Sequence, residues 1–276
     1  MRVPDRALTR ALTEALGPVR SVCRSPSPQA STARLEDLRV ELDAGRERHL
    51  VLKSGGRDTT RELRLYREVL AGAGLGTPGL ITGGPGYVVL EAVRGAPLWQ
   101  SAQVQDWCAV ARWLRRAHLL LAGQAGRVQP VVGSRWAAQW ERALARHPAV
   151  AGLTGYRQAA AIVAAQPRTV VHGELFPANI VLAPGGAPCV LDWETAGSGC
   201  ALTDLAALTA GWEPAAAQRI ASAYGGDLSA LPAARLVVAV RWLAEPRPPV
   251  AAGGGQAHWT DWWGAACAAA AEGAQG

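Results

Sequence analysis

Apolar residues recur at helical spacing from Ala7 to Leu16, and Gly17-Pro18 ends that run. Val19 to Arg24 then reads as a strand, Ala33 to Leu42 alternates as a second, and His49 to Lys53 makes a third. Polar turns at Ser25 to Thr32 and Asp43 to Arg46 separate them. Asp58 to Leu70 is helical, with Leu63, Tyr66, Val69 and Leu70 as its apolar stripe. Two more strands, Pro78 to Thr82 and Tyr87 to Glu91, flank Gly83-Gly84-Pro85-Gly86. From Gln103 onward the pattern turns helical: a long amphipathic helix carries Trp107, Val110, Leu114, His118 and Leu121, and further helices fall at Ser134 to Arg146, Tyr156 to Ala165 and Arg235 to Leu243. Pro246 to Gly255 is a loose linker, and His258 to Trp263 opens a last helix.

One stretch breaks this rhythm. Thr169 to Val171, Ile180 to Leu182 and Cys189 to Leu191 are short β-branched runs bounded by Gly and Pro, the mark of small buried strands. Pro184-Gly185-Gly186 folds the second run back on the third as a hairpin. The strands are expected to gather His172, Glu174, Asn179 and Asp192 at one end. Two carboxylates and a carboxamide oxygen are the hard donors that Mg²⁺ prefers, and Mg²⁺ completes its shell with water and substrate phosphates. The cluster therefore points to a metal–nucleotide site.

Composition narrows the rest. With 49% apolar and 18% charged residues in 276, the chain reads as soluble and globular, large enough for one large domain or two lobes. Met1 to Arg10 is charged with no apolar core behind it, and no apolar run approaches a membrane span, so a cytoplasmic location away from membranes is expected. Five scattered cysteines without a C-x-x-C pair imply reduced thiols rather than a disulfide framework or zinc site. The net charge of +6 is spread along the chain without interleaved aromatics, which argues against nucleic acid as a partner. Lys53 is the only lysine among 28 Lys and Arg, so a compact ammonium is needed at the end of the third strand.

The loop His172-Gly173-Glu174-Leu175-Phe176-Pro177-Ala178-Asn179 and the later Leu191-Asp192-Trp193-Glu194 resemble the aminoglycoside phosphotransferase and choline kinase group, distant relatives of protein kinases. In that group the loop reads H-G-D-x-x-x-x-N and the following hairpin ends in a metal-binding Asp. The resemblance implies an α+β, two-lobed protein-kinase-like fold. Its N-terminal nucleotide-binding lobe spans 1–91, a hinge 92–95, and a mostly helical catalytic and substrate lobe 96–276. It gives Lys53 the α- and β-phosphates of ATP (or GTP) as partners, and it gives Asn179 and Asp192 the Mg²⁺. Glu91, Ala92 and Val93, matching L-E-x-x-x-G, would meet the adenine through backbone groups. His172 and Asp204 support the loop, Asp204 through its N–H groups. His118 also fits a family pattern, though a packed, hydrogen-bonded core histidine is the better reading.

Three points stay open at this level. The turn that covers phosphates in kinases has no glycine here; Ser25, Ser27 and Ser31 either donate hydroxyls or belong to an ordinary surface turn. Glu62 either closes a capping box with Thr59 or, as in the family, holds the strand lysine. Glu174 stands where the family has its catalytic Asp, adding about 1.5 Å of reach. Either the loop is set back to suit it or catalysis is impaired. With Asp204-Leu205-Ala206-Ala207-Leu208-Thr209-Ala210-Gly211-Trp212, the chain resembles a bacterial branch that reads H-G-E. From Ala96 onward 13 Arg face 11 acidic residues, which disfavours a polycationic aminoglycoside. The expected acceptor is a small hydroxylated molecule such as a sugar, nucleoside or antibiotic. A peptide Ser or Thr, or a pseudokinase serving a protein partner, is the alternative.

Overall fold

The computed structural model describes residues 3–27, 33–55, 59–130, 141–143, 145 and 155–244. Its elements run α1 (Asp5–Leu16), β1 (Val19–Pro26), β2 (Arg34–Leu42), β3 (Glu47–Ser54), α2 (Thr59–Leu65), β4 (Leu80–Gly84), β5 (Tyr87–Glu91) and β6 (Ala96–Pro97). There follow α3 (Val104–Leu121), α4 (Tyr156–Ala164), β7 (Arg168–Val171), β8 (Ile180–Leu182), β9 (Pro188–Val190), β10 (Gly197–Cys200), α5 (Leu202–Thr209), α6 (Pro214–Tyr224) and α7 (Leu231–Ala244). The tip of the β1–β2 turn, most of the helix expected over 134–146, the linker and the tryptophan-rich last helix lie outside the described residues. Among the described residues no helix is long and apolar enough to cross a membrane.

The chain divides into two compact units, Met1–Ala96 with Val181–Thr195, and Pro97–Ile180 with Ala196–Gly276. The β8–β9 hairpin turn and Asp192 thus pack with the first unit, although the sequence places them among the helices of the second.

In the first unit, five antiparallel strands lie in the order β1-β2-β3-β5-β4. Leu38, Val40, Leu42, Leu50 and Leu52 alternate onto one face, where Leu8 and Leu12 of α1 cover them with Val89. Each such side chain contributes roughly 1.5–3 kcal/mol on burial. Lys53, one residue beyond Leu52, faces the other way by the same alternation. Arg24 ties α1 to the sheet. Its guanidinium forks onto Glu36 at 2.8 and 3.0 Å and also donates to the Val3 carbonyl at 2.9 Å.

The expected helix over 58–70 is α-helical only to Leu65, and Tyr66–Leu70 forms a π-helical turn. Gly95 is required by its surroundings. At φ +152° a Cβ there would lie 2.1 Å from the Leu182 carbonyl oxygen.

In the second unit, β7 pairs antiparallel with β10, Thr169 opposite Gly199 and Val171 opposite Gly197. The apolar pattern does not reveal β10, because Gly-Ser-Gly-Cys has little strand propensity. Tertiary fit decides it: a Cβ on Gly199 would come within 2.9 Å of Val171. In the first unit, the β8–β9 hairpin turn forms as expected, closed by Ala183 N–H to the Ala187 carbonyl at 2.9 Å. Among the helices, α3 packs on α6, and α4 and α5 pack on α7.

Candidate active site

The first unit holds a lysine among three carboxylates. Lys53 ends β3, buried, and its Nζ hydrogen-bonds Asp192 while lying 2.9 Å from both Glu62 Oε2 and Glu194 Oε2. Glu62 reaches it from α2, and its Oε1 accepts the Trp193 N–H at 3.1 Å. The Thr59 hydroxyl is buried without a hydrogen-bond partner, so the capping box is not formed and Glu62 serves the lysine. Asp192 has φ +60°, the only non-glycine residue described at positive φ. A β-carboxylate held in this sparsely populated region implies that the surrounding turn over-determines it.

Electrostatics couples the four groups. Burial alone would lower the Lys53 pKa, but Glu62, Asp192 and Glu194 outweigh it and hold the ammonium charged well above its ordinary range. Glu62, fully buried, is nevertheless raised, because desolvation and its two carboxylate neighbours exceed what one shared lysine returns. Within this group of four, three carboxylates face one ammonium. One oxygen from each of Glu62, Asp192 and Glu194 lies within 4.8 Å of the others. A compact, hard, negatively charged donor set of this kind fits a divalent cation such as Mg²⁺. Asp192 is its most open member, with 34% of its side chain exposed against 0% for Glu62 and 11% for Glu194.

The second unit holds the H-G-E loop, gripped mainly through its backbone. Asp204 of α5 accepts the His172 N–H at 2.7 Å and the Gly173 N–H at 2.9 Å. The carboxylate also faces His118 Nε2 at 3.2 Å, and His118 Nδ1 lies 2.9 Å from the Tyr224 hydroxyl. Burial would raise the Asp204 pKa, but the His118 hydrogen bond and the nearby N–H groups outweigh it and hold the carboxyl below its usual range. An ionised carboxylate can only accept, so the Nε2 of His118 carries a proton toward Asp204, and its Nδ1 shares a hydrogen bond with the Tyr224 hydroxyl. His118 is therefore a satisfied core histidine, as its apolar helix face implied.

Farther along the loop, Asn179 Nδ2 donates to the Glu174 carbonyl at 3.0 Å and fixes the carboxamide plane. Glu174 N–H donates to His172 Nδ1 at 3.3 Å. Sequence reasoning missed Arg241, which donates to the Gly173 carbonyl at 2.6 Å and lies 3.7 Å from Glu174 Oε1. No local signal marks it, since it is one arginine of many on an apolar helix. It also passed over Glu194 as a site residue, although Glu194 sits two positions after Asp192 in the motif.

The remaining expected residues are placed as follows. Glu91 N–H donates to the Gly79 carbonyl at 2.9 Å and Ala92 N–H to the His49 carbonyl at 3.1 Å, and Val93 follows directly. Ser27 is half-buried, and its N–H closes the β1–β2 hairpin on the Leu35 carbonyl at 3.1 Å; Ser31 lies outside the described residues. Cys200 is buried and Cys189 half-buried, and burial raises the Cys189 thiol to about 11. Both are inert structural thiols.

Comparison with known proteins fits this geometry. The profile of the phosphotransferase enzyme family matches residues 30–237. The chain belongs to this family. No curated protein matches it by sequence. Among solved structures, the microcompartment-associated aminopropanol kinase superposes with a TM-score of 0.65 at 15% identity, covering 98% of this chain and 97% of that one. Choline kinase LicA from Streptococcus pneumoniae gives 0.59 at 15% identity, with 97% and 99% covered. A spectinomycin phosphotransferase bound to ADP and spectinomycin gives 0.60 at 12% identity, with 98% and 100% covered. At these identities the structures establish the fold: a five-stranded antiparallel N-terminal sheet and a helical C-terminal part, as in protein kinases.

Proposed function

We propose that this phosphotransferase-family chain moves the terminal phosphoryl group of ATP, with Mg²⁺, onto a hydroxyl of a small neutral or anionic molecule. The observation that carries the reading is the state of Lys53. The only lysine in the sequence is buried at a strand end and shared among Glu62, Asp192 and Glu194. An ammonium so placed, with a helix glutamate holding it, is the part that kinase-type folds use to neutralise α- and β-phosphate oxygens.

Each residue then has a defined job. Asp192 and the Asn179 oxygen hold the metal, with Glu194 adjacent to Asp192. Bound Mg²⁺ supplies charge neutralisation along the phosphates. Glu62 keeps Lys53 extended toward them. Because the N–H groups of Glu91 and Ala92 are already committed within the sheet, adenine is met by the Val93 N–H and the carbonyls of this segment. Ser27, whose N–H closes the turn, offers its hydroxyl near the phosphates. Glu174 orients the acceptor hydroxyl in line, and His172 and Asp204 hold its loop. Positioning and charge account for such a reaction, since phosphoryl transfer needs little covalent help. The 13 arginines against 11 acidic residues from Ala96 onward favour an acceptor that is not polycationic. The solved relatives named for aminopropanol, choline and spectinomycin share a small hydroxylated substrate.

Calorimetric titration of ATP with and without Mg²⁺, on wild type and Asp192→Asn, tests the reading. Metal-dependent binding that the variant loses is the expected result. Absence of binding in the wild type would turn the interpretation to a pseudokinase with a protein partner. A parallel GTP titration separates the two nucleotides.

A further inference from the structure

We infer that Arg241 is a positioning residue that adapts the active-site loop to glutamate at position 174. The inference rests on the phosphotransferase reading above. Arg241 lies on α7, 67 residues along the chain from Glu174, and its side chain is largely buried, 17% exposed. It makes two separate contacts with the loop: Nη1 donates to the Gly173 carbonyl at 2.6 Å, and Nη2 lies 3.7 Å from Glu174 Oε1.

These contacts complete a clamp. The Gly173 N–H is held by Asp204 of α5 at 2.9 Å and the Gly173 carbonyl by Arg241 of α7, so the residue before Glu174 is gripped at both of its peptide bonds by different helices. Gly173 itself has φ +84°, a conformation that carries little strain only for glycine. Beyond this point the Glu174 backbone is also committed, its N–H to His172 and its carbonyl to Asn179 and to the Phe176 N–H. The backbone is therefore held at several points, and three side-chain torsions carry the Glu174 carboxylate away from it. Glutamate has one more rotatable bond than aspartate, so placing its carboxylate takes side-chain contacts as well as a fixed main chain. The guanidinium beside Oε1 restricts it. Because the same guanidinium holds the Gly173 carbonyl, carboxylate and backbone are referenced to one rigid group.

The test uses water as the acceptor, so the natural substrate is not needed: ADP release from Mg–ATP by the intact chain, with thermal unfolding as the check on folding. Arg241→Ala should lower kcat about 100-fold, the effect of displacing a reacting group by about 1 Å, with KM for ATP changed less than about twofold. Arg241→Lys keeps the charge and one donor and should recover about tenfold of that loss. In a Glu174→Gln background the further effect of Arg241→Ala should shrink to less than about threefold, because both changes then remove one function. Full turnover in Arg241→Ala, or equal and additive losses in both backgrounds, would overturn the inference and leave the phosphotransferase reading standing. A wild type that binds no Mg–ATP and releases no ADP would overturn both.

Discussion

The two charged clusters, one in each unit, are held together by opposite means. Around Lys53 the side-chain charges contact one another directly, three carboxylates about one ammonium. Around Glu174 the backbone is fixed by Asp204 and Arg241, while 35% of the glutamate side chain remains exposed. Under the phosphotransferase reading proposed above, the first arrangement would receive the cation and the second would present one carboxylate to the acceptor. Changes in the first cluster should therefore alter ligand binding more than folding, and changes in the clamp of the second cluster should do the reverse.

The strongest challenge to that contrast is Asp204→Ala. It strands two backbone N–H groups and His118 in a buried region, and should destabilise the fold by about 3–5 kcal/mol, read as a shift in the urea midpoint. If nucleotide binding weakened while the midpoint stayed, the clamp would not be structural. Lys53→Arg should leave the urea midpoint within about 1 kcal/mol yet weaken Mg–ATP binding at least tenfold, because a planar fork cannot replace a point charge among three carboxylates. Gly95→Ala forces a side chain toward the Leu182 carbonyl at φ +152°, and should destabilise by about 1–3 kcal/mol in thermal unfolding. At the other extreme, Arg10→Ala removes the exposed ion pair with Glu14 and should shift stability by no more than about 0.5 kcal/mol.

Acid and base should separate the clusters as well. The Asp204 carboxyl is depressed in the folded state, so its stabilisation is present above its ordinary value of 3.8 and lost as pH falls through the lower folded value. Asp204→Asn should flatten that acid limb in chemical denaturation. Lys53 is raised in the folded state, so its contribution is complete below its ordinary value of 10.5 and is lost only as pH rises through a still higher one. Replacing Lys53 by Met should remove that alkaline loss.

Much of this was readable from the chain. Strands β1, β2, β3 and β5, the long helix α3 and the β8–β9 hairpin follow from alternation, helical spacing and the Pro184-Gly185-Gly186 turn. Lys53 stood out because an arginine-using chain placed one lysine at a strand end, and His118 because it sits on the apolar stripe of its helix. What was not readable depended on neighbours distant in sequence. Glu62 had two local explanations, a cap or an ion pair, and only the approach of β3 and of Trp193 to α2 decided between them. β10 has almost no strand character until Val171 lies across from its glycines. Arg241 resembles any helical arginine until α7 brings it to the loop.

The sequence by itself determined where most of the first unit's elements, α3 and the β8–β9 hairpin lie, because periodicity, turn residues and motif spacing are local properties of the chain. The tertiary structure decided which charges meet and which group lies beside Glu174. Those depend on contacts such as Lys53 with Asp192, 139 residues apart, and Arg241 with Gly173, 68 apart, whose geometry no local pattern encodes.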